Sequence, residues 1–253
     1  MKSFLMCLAL LASLTGFAAA ASAGDPPNVA VNVIHSKSQG VIRINGVPVY
    51  RFVPTRDGGS ATDSIGVGQW LIDGENSIAV ETRSKDGGST RVVIVKTIDE
   101  PHLFDGEIAG AGATEYKLQL KDVPRWGWLD AEQWTGDNQS LLAAVGALHA
   151  AFDKGDLETI MRQYKAFADD MAPYIGPISK DDFAEPLKGG TVQPLPADLT
   201  VESFYDHRLF VVRRADGSAP IRVDNEAVVK GIPALESGQF WIRKSGQWQI
   251  IRP

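Results

Sequence analysis

Gln69-Trp70-Leu71-Ile72-Asp73-Gly74-Glu75-Asn76-Ser77-Ile78-Ala79-Val80 is the stretch on which the reading of the first half turns. An apolar group gives way to Asp-Gly, which reads as a turn. Asn76 follows, with a short amide able to bond nearby backbone and fix a corner. From Ser77 the pattern alternates like a strand entering a core.

The same alternation extends on both sides. Val29, Val31 and Val33 alternate, as do Ile42 and Ile44, then Val47 and Val49 around Asn45-Gly46, a strong short hairpin signal. Ser77–Arg83 and Thr90–Thr97 read as strands joined in a hairpin by Lys85-Asp86-Gly87-Gly88. Tyr116, Leu118 and Leu120 alternate within Glu115–Leu120. Short strands and turns at this spacing predict an all-β antiparallel sandwich over residues 24–125. The corner at Gly74 and Asn76 resembles one common in immunoglobulin-like and jelly-roll accessory domains. That resemblance implies a fold and no ligand.

Beyond Asn138 the period changes. Leu142, Val145, Leu148, His149 and Phe152 fall at helical spacing, and Asp153-Lys154-Gly155 breaks the run. Asp156 is placed to cap a second helix through Leu157, Ile160, Met161, Tyr164 and Phe167, expected to stop before Pro173. Strands follow near Thr200–Tyr205, Leu209–Arg214, Ile221–Asn225, Gln239–Lys244 and Gln247–Arg252, with Asp216-Gly217 and Lys244-Ser245-Gly246-Gln247 as turns. Helices followed by antiparallel strands make an α+β domain over residues 138–253. The run Leu148–Ile160 with its Gly155-Asp156 pair, and the closing Phe240–Ile251 with its paired aromatics, resemble the nuclear transport factor 2-like (SnoaL-type) superfamily. The resemblance implies a cone-like domain of helices and a curved antiparallel sheet that encloses a pocket in some members.

In some members such a pocket holds an acid–base pair. The candidates here are Asp206, His207 and Tyr164, with His149 on the first helix. Neighbours in a strand point to opposite faces, so Asp206 and His207 read better as solvated turn residues. His149, on an apolar helix face, reads as a satisfied core histidine. The four histidines have no ligand spacing, and Asp169-Asp170 and Asp181-Asp182 read as solvated carboxylates, so neither metal nor cofactor is called for. Residues 126–137 form a Trp-rich junction. Trp126, Trp128 and Trp134 are candidates for an aromatic binding platform for a sugar or partner chain, though buried indoles stapling two domains together account for them better.

The N-terminus predicts export. One lysine, an apolar run from Phe4 to Leu14 and the small residues Ala21-Ser22-Ala23 make a signal peptide over residues 1–23. Cys7, the only cysteine, lies within it and continues the apolar run, so it does not read as a lipid attachment site. The mature chain is then expected to be thiol-free, to lack a membrane span, and to be periplasmic or secreted from a bacterium. Asp and Glu number 31 against 25 Lys and Arg, with an acidic excess in both halves, which argues against a nucleic-acid partner. Recognisable folds without recognisable chemistry favour a non-catalytic binding or interaction protein, for a protein partner or a small ligand. The alternatives are a small-molecule enzyme using the C-terminal candidates and a periplasmic immunity protein masking a toxin.

Overall fold

The computed structural model describes residues 26–55, 58–96, 101–225 and 235–252. The signal peptide and Cys7 lie outside the described residues. The protein is mostly antiparallel sheet with a few helices. It divides into two compact units between Arg125 and Trp126.

The N-terminal unit is one six-stranded antiparallel sheet of β1 (Ala30–Ile44), β2 (Val47–Phe52), β3 (Ser60–Gly66), β4 (Gly74–Val95), β5 (Phe104–Ala109) and β6 (Gly112–Leu120). The long strands β1 and β4 pair from Ala30 opposite Val95 to Ile44 opposite Ile78. Their two ends take different neighbours: β3 and β5 at one end, β2 and β6 at the other. Asn45-Gly46 closes the β1–β2 hairpin, with φ of 51° and 82°. These positive angles make the turn whose twist suits paired strands.

Residues 85–88 are not the expected hairpin. Ser84 pairs with Ser38 and Ser89 with Ser36, so β4 continues beside β1 in one direction and 85–88 is an insertion within it. Gly-rich sequence serves a bulge as readily as a turn, and a long partner strand decides between them. A Cβ at Gly88 would lie 2.4 Å from the carbonyl oxygen of Ser36. Across from the insertion, Lys37 takes φ 50°, and the buried set passes from Val31, Val33 and His35 to Ser38, Ile42 and Ile44. Without that one-residue phase change the second half of β1 would turn its apolar side outward.

Asn76 fixes the corner as its position predicts. Its amide nitrogen donates to the carbonyls of Ile72 and Gly74 at 2.7 and 3.2 Å, and its oxygen accepts from Ile72 N–H at 2.8 Å. The Asn45 amide also donates to that oxygen at 3.0 Å, joining this corner to the β1–β2 turn. Gly74 supports the geometry at φ 97°, which a side chain would resist.

The C-terminal unit begins with residues 126–137, including a 3₁₀ turn at Gly127–Asp130. Four helices follow: α1 (Gln139–Lys154), α2 (Leu157–Gln163), α3 (Lys165–Ile175) and α4 (Asp181–Leu187). Gly155, at φ 64°, ends α1, and the Asp156 carboxylate accepts from Thr159 N–H to start α2. The expected second helix is in fact two, broken at Tyr164, and it does not stop before Pro173. Pro173 costs α3 one bond, that to the Asp169 carbonyl, without ending it, and the chain leaves the helix only at Gly176.

Among the described residues seven strands then form two antiparallel sheets where one was expected. The larger, in order β13-β12-β9-β8, comprises β8 (Thr200–Phe204), β9 (Leu209–Arg213), β12 (Phe240–Lys244) and β13 (Gln247–Arg252). The smaller, in order β11-β10-β7, comprises β7 (Thr191–Val192), β10 (Ile221–Asp224) and β11 (Leu235–Ser237). Every residue of β9 is buried. Alternate side chains face opposite ways, so both faces of this sheet are covered there. Helices α2 and α3 pack against β13.

Candidate functional site

Residues 126–137 act as a strap laid on the C-terminal unit. Trp126 and Trp128 are 1% and 0% exposed, so neither offers a face to a ligand. The Trp126 indole packs edge-on to Tyr174 and beneath the Arg252 guanidinium, and Trp128 packs on Tyr205 at 4.5 Å. Asp170 holds the strap by accepting from Gly127 N–H and from Arg252, each at 2.7 Å. Asp170 is therefore not the solvated carboxylate its sequence suggests. Its partners lie 43 residues before it and 82 after it, beyond any local pattern. Asp169, beside it, does face outward and pairs with Lys165 at 2.8 Å.

Farther along, the strap reaches the turns of both hairpins in the larger sheet. Glu132 N–H donates to the Arg243 carbonyl at 2.8 Å, and its carboxylate accepts from Gly246 N–H at 2.9 Å. Trp134 N–H donates to the His207 carbonyl at 2.9 Å. Trp134 itself is half-buried, with Arg243 over its ring at 4.5 Å and Trp248 edge-on at 6.1 Å. Its indole N–H donates to the Asp137 carbonyl at 3.0 Å. A Cβ at Gly136 would lie 2.4 Å from the same ring, so the chain there doubles back against the indole.

Between the strap and the β8–β9 hairpin lies a half-open cleft of about 320 Å³. Trp134, Thr135 and Asn138 form one side. Val201, Ser203, His207 and Phe210 form the other. His207 sits on a turn in which Tyr205, Asp206 and His207 take φ of 52°, 51° and 60°. Three consecutive non-glycine residues in the left-handed region are unusual, each at an energetic cost. The Trp128–Tyr205 contact and the Trp134–His207 bond hold them there. Ser203 Oγ lies 2.9 Å from His207 Nδ1.

The structure does not bring Tyr164 to the turn that carries Asp206 and His207. Asp206 and His207 are exposed turn residues, and of the two only His207 lines the cleft. Tyr164 is buried elsewhere, in contact with the rings of Phe167 and Phe183, and its hydroxyl bonds Ser237 Oγ. Burial pushes its phenol well above the usual tyrosine range. His149 Nε2 lies 2.9 Å from the Gln193 carbonyl, a satisfied histidine. Among the described residues no three His, Cys, Asp or Glu side chains gather as a metal site, and no helix is long and apolar enough to cross a membrane. The part of the cleft that sequence reasoning missed is its neutral wall of Thr135, Asn138 and Ser203. The one available signal was that they flank Trp134 and His207 in the chain. Compared with protein-family models, curated proteins and solved structures, the chain matches none.

Proposed function

We propose that this is an exported, non-catalytic binding protein that takes a small ligand in the cleft between Trp134 and His207. One observation carries the reading. The strap and the strained turn are bonded to each other, so that an indole, an imidazole and several neutral polar groups converge on one recess. Strain maintained by bonds from a distant segment is common at sites that act on something. Tyr164 is buried away from the turn, and Asp206 does not line the cleft beside His207, which supports binding over acid–base catalysis. The Ser203–His207 contact is the sole observation that favours the enzymatic alternative.

The remaining readings belong to the same proposal. The N-terminal unit is a sandwich-like accessory domain, a reading supported by the burial of Val31, Ile42, Ile78 and Val92 in a sheet whose two ends take different neighbours. The helix-then-strand order of the C-terminal unit supports the nuclear transport factor 2-like resemblance. The binding reading is tested by a mixed fragment library titrated into isotope-labelled whole protein. Saturable shifts of the Trp134 indole N–H and of the Asn138 and His207 resonances are expected. A library that leaves all three unmoved defeats it.

A further inference from the structure

We propose that the ligand of the cleft is a neutral carbohydrate of one or two rings, an inference that rests on the binding reading above. The lining holds no Asp, Glu, Lys or Arg, and the Arg243 guanidinium over the Trp134 ring is already paired with Glu132, so a charged ligand would lose hydration without gaining an unpaired counter-charge. The polar groups present are the hydroxyls of Thr135 and Ser203, the amide of Asn138 and the imidazole of His207. Each of these can both donate and accept. A ligand studded with hydroxyls satisfies such a set, because a hydroxyl also does both. With Ser203 beside Nδ1, the other ring nitrogen of His207 remains to meet a ligand hydroxyl.

The accessible apolar part of the lining comes from the half-buried Trp134 and Val201, while Phe210 is 3% exposed and only backs them. That accessible part suits the C–H face of a pyranose ring, which is apolar while its rim is polar. At about 320 Å³ the space lies at the lower end for small-molecule sites, ~300–1,000 Å³, which limits the occupant to a short sugar. The site is also preformed. Arg243, Trp248, Gly136 and the Asp137 carbonyl fix the indole, so little ordering remains to be done on binding.

The test is a titration of isotope-labelled whole protein with D-glucose, N-acetyl-D-glucosamine and maltose. D-glucuronate and triglycine serve as charged comparisons. At least one neutral sugar is expected to shift the Trp134 and His207 resonances saturably, with glucuronate at least tenfold weaker. Ser203→Ala and Asn138→Ala, both at exposed positions, are expected to weaken that sugar fivefold or more while the unfolding midpoint is unchanged. If either variant unfolds, the other carries the test. Shifts at the cleft with triglycine or glucuronate but with no neutral sugar overturn the carbohydrate assignment and leave the binding reading standing. No cleft shift with any of these probes or with the fragment library overturns both.

Discussion

At the scale of single residues, Asn76 and Tyr164 mark two degrees of legibility. The role of Asn76 was readable because its partners Ile72 and Gly74 lie within four residues; a side chain that bonds its own neighbourhood leaves its reason in the sequence. Tyr164 gave the opposite result. Its periodicity reads as helical, yet it stands at the break between α2 and α3 and its hydroxyl meets Ser237, 73 residues on, where burial sets its properties. The phenol is raised by burial in the folded state above its ordinary value near 10. The folded protein therefore keeps a proton that the unfolded chain releases. By linkage, this contribution is fully present below about pH 10 and is lost as pH climbs through the higher folded value. Denaturant unfolding monitored between pH 8 and 11 should show stability falling above pH 10, with the fall reduced in Tyr164→Phe. Equal slopes in the two proteins would remove Tyr164 as its source.

The strap is the feature that matters at the scale of elements. The sequence reads residues 126–137 as a junction whose indoles bind two cores, whereas the contacts of Trp126 with Tyr174 and Arg252, and of Trp128 with Tyr205, lie within the C-terminal unit. The strap's assignment needed contacts that no periodicity encodes: Gly127 and Arg252 on Asp170, Trp134 on the His207 turn, Glu132 on the β12–β13 turn. Arg252 is 1% exposed, and burial disfavours its charge while Asp170 opposes that. A chain begun at residue 138 would lose Trp126 from beside that ion pair and the Gly127 N–H from Asp170. A fragment of residues 126–253 is expected to unfold cooperatively with blue-shifted tryptophan emission. A fragment of 138–253 should be less stable by several kcal/mol, as expected from losing buried aromatics at about 3–5 kcal/mol each, or should not fold. Equal midpoints for the two would show that the strap is dispensable. The same logic explains the hairpin expected at 85–88: a glycine-rich run can turn or bulge, and only the length of β1 beside it decided the outcome.

For the whole molecule, export is the prediction that remains at sequence level. The expectation of a signal peptide rests on Met1–Ala23 alone. Intact-mass measurement of the protein recovered from the periplasm or medium of bacteria made to express it should give a chain beginning at Gly24, unmodified and unreactive toward thiol reagents. A mass that retains Cys7 or carries a lipid would refute cleavage at Ala23.

The sequence alone determined what depends on near neighbours. Strand alternation, the Asn45-Gly46 turn, the Asn76 corner, the Gly155-Asp156 helix break and the antiparallel β-rich class all follow from residues a few positions apart. Tertiary structure decided where residues far apart in the chain meet. It buried Trp126 and Trp128 and left Trp134 half-exposed, it separated Tyr164 from His207, and it brought Asn138 opposite Ser203 across one cleft. The reason is physical: local conformation is set by short-range sterics and hydrogen bonds, whereas a site is set by which distant surfaces bury one another.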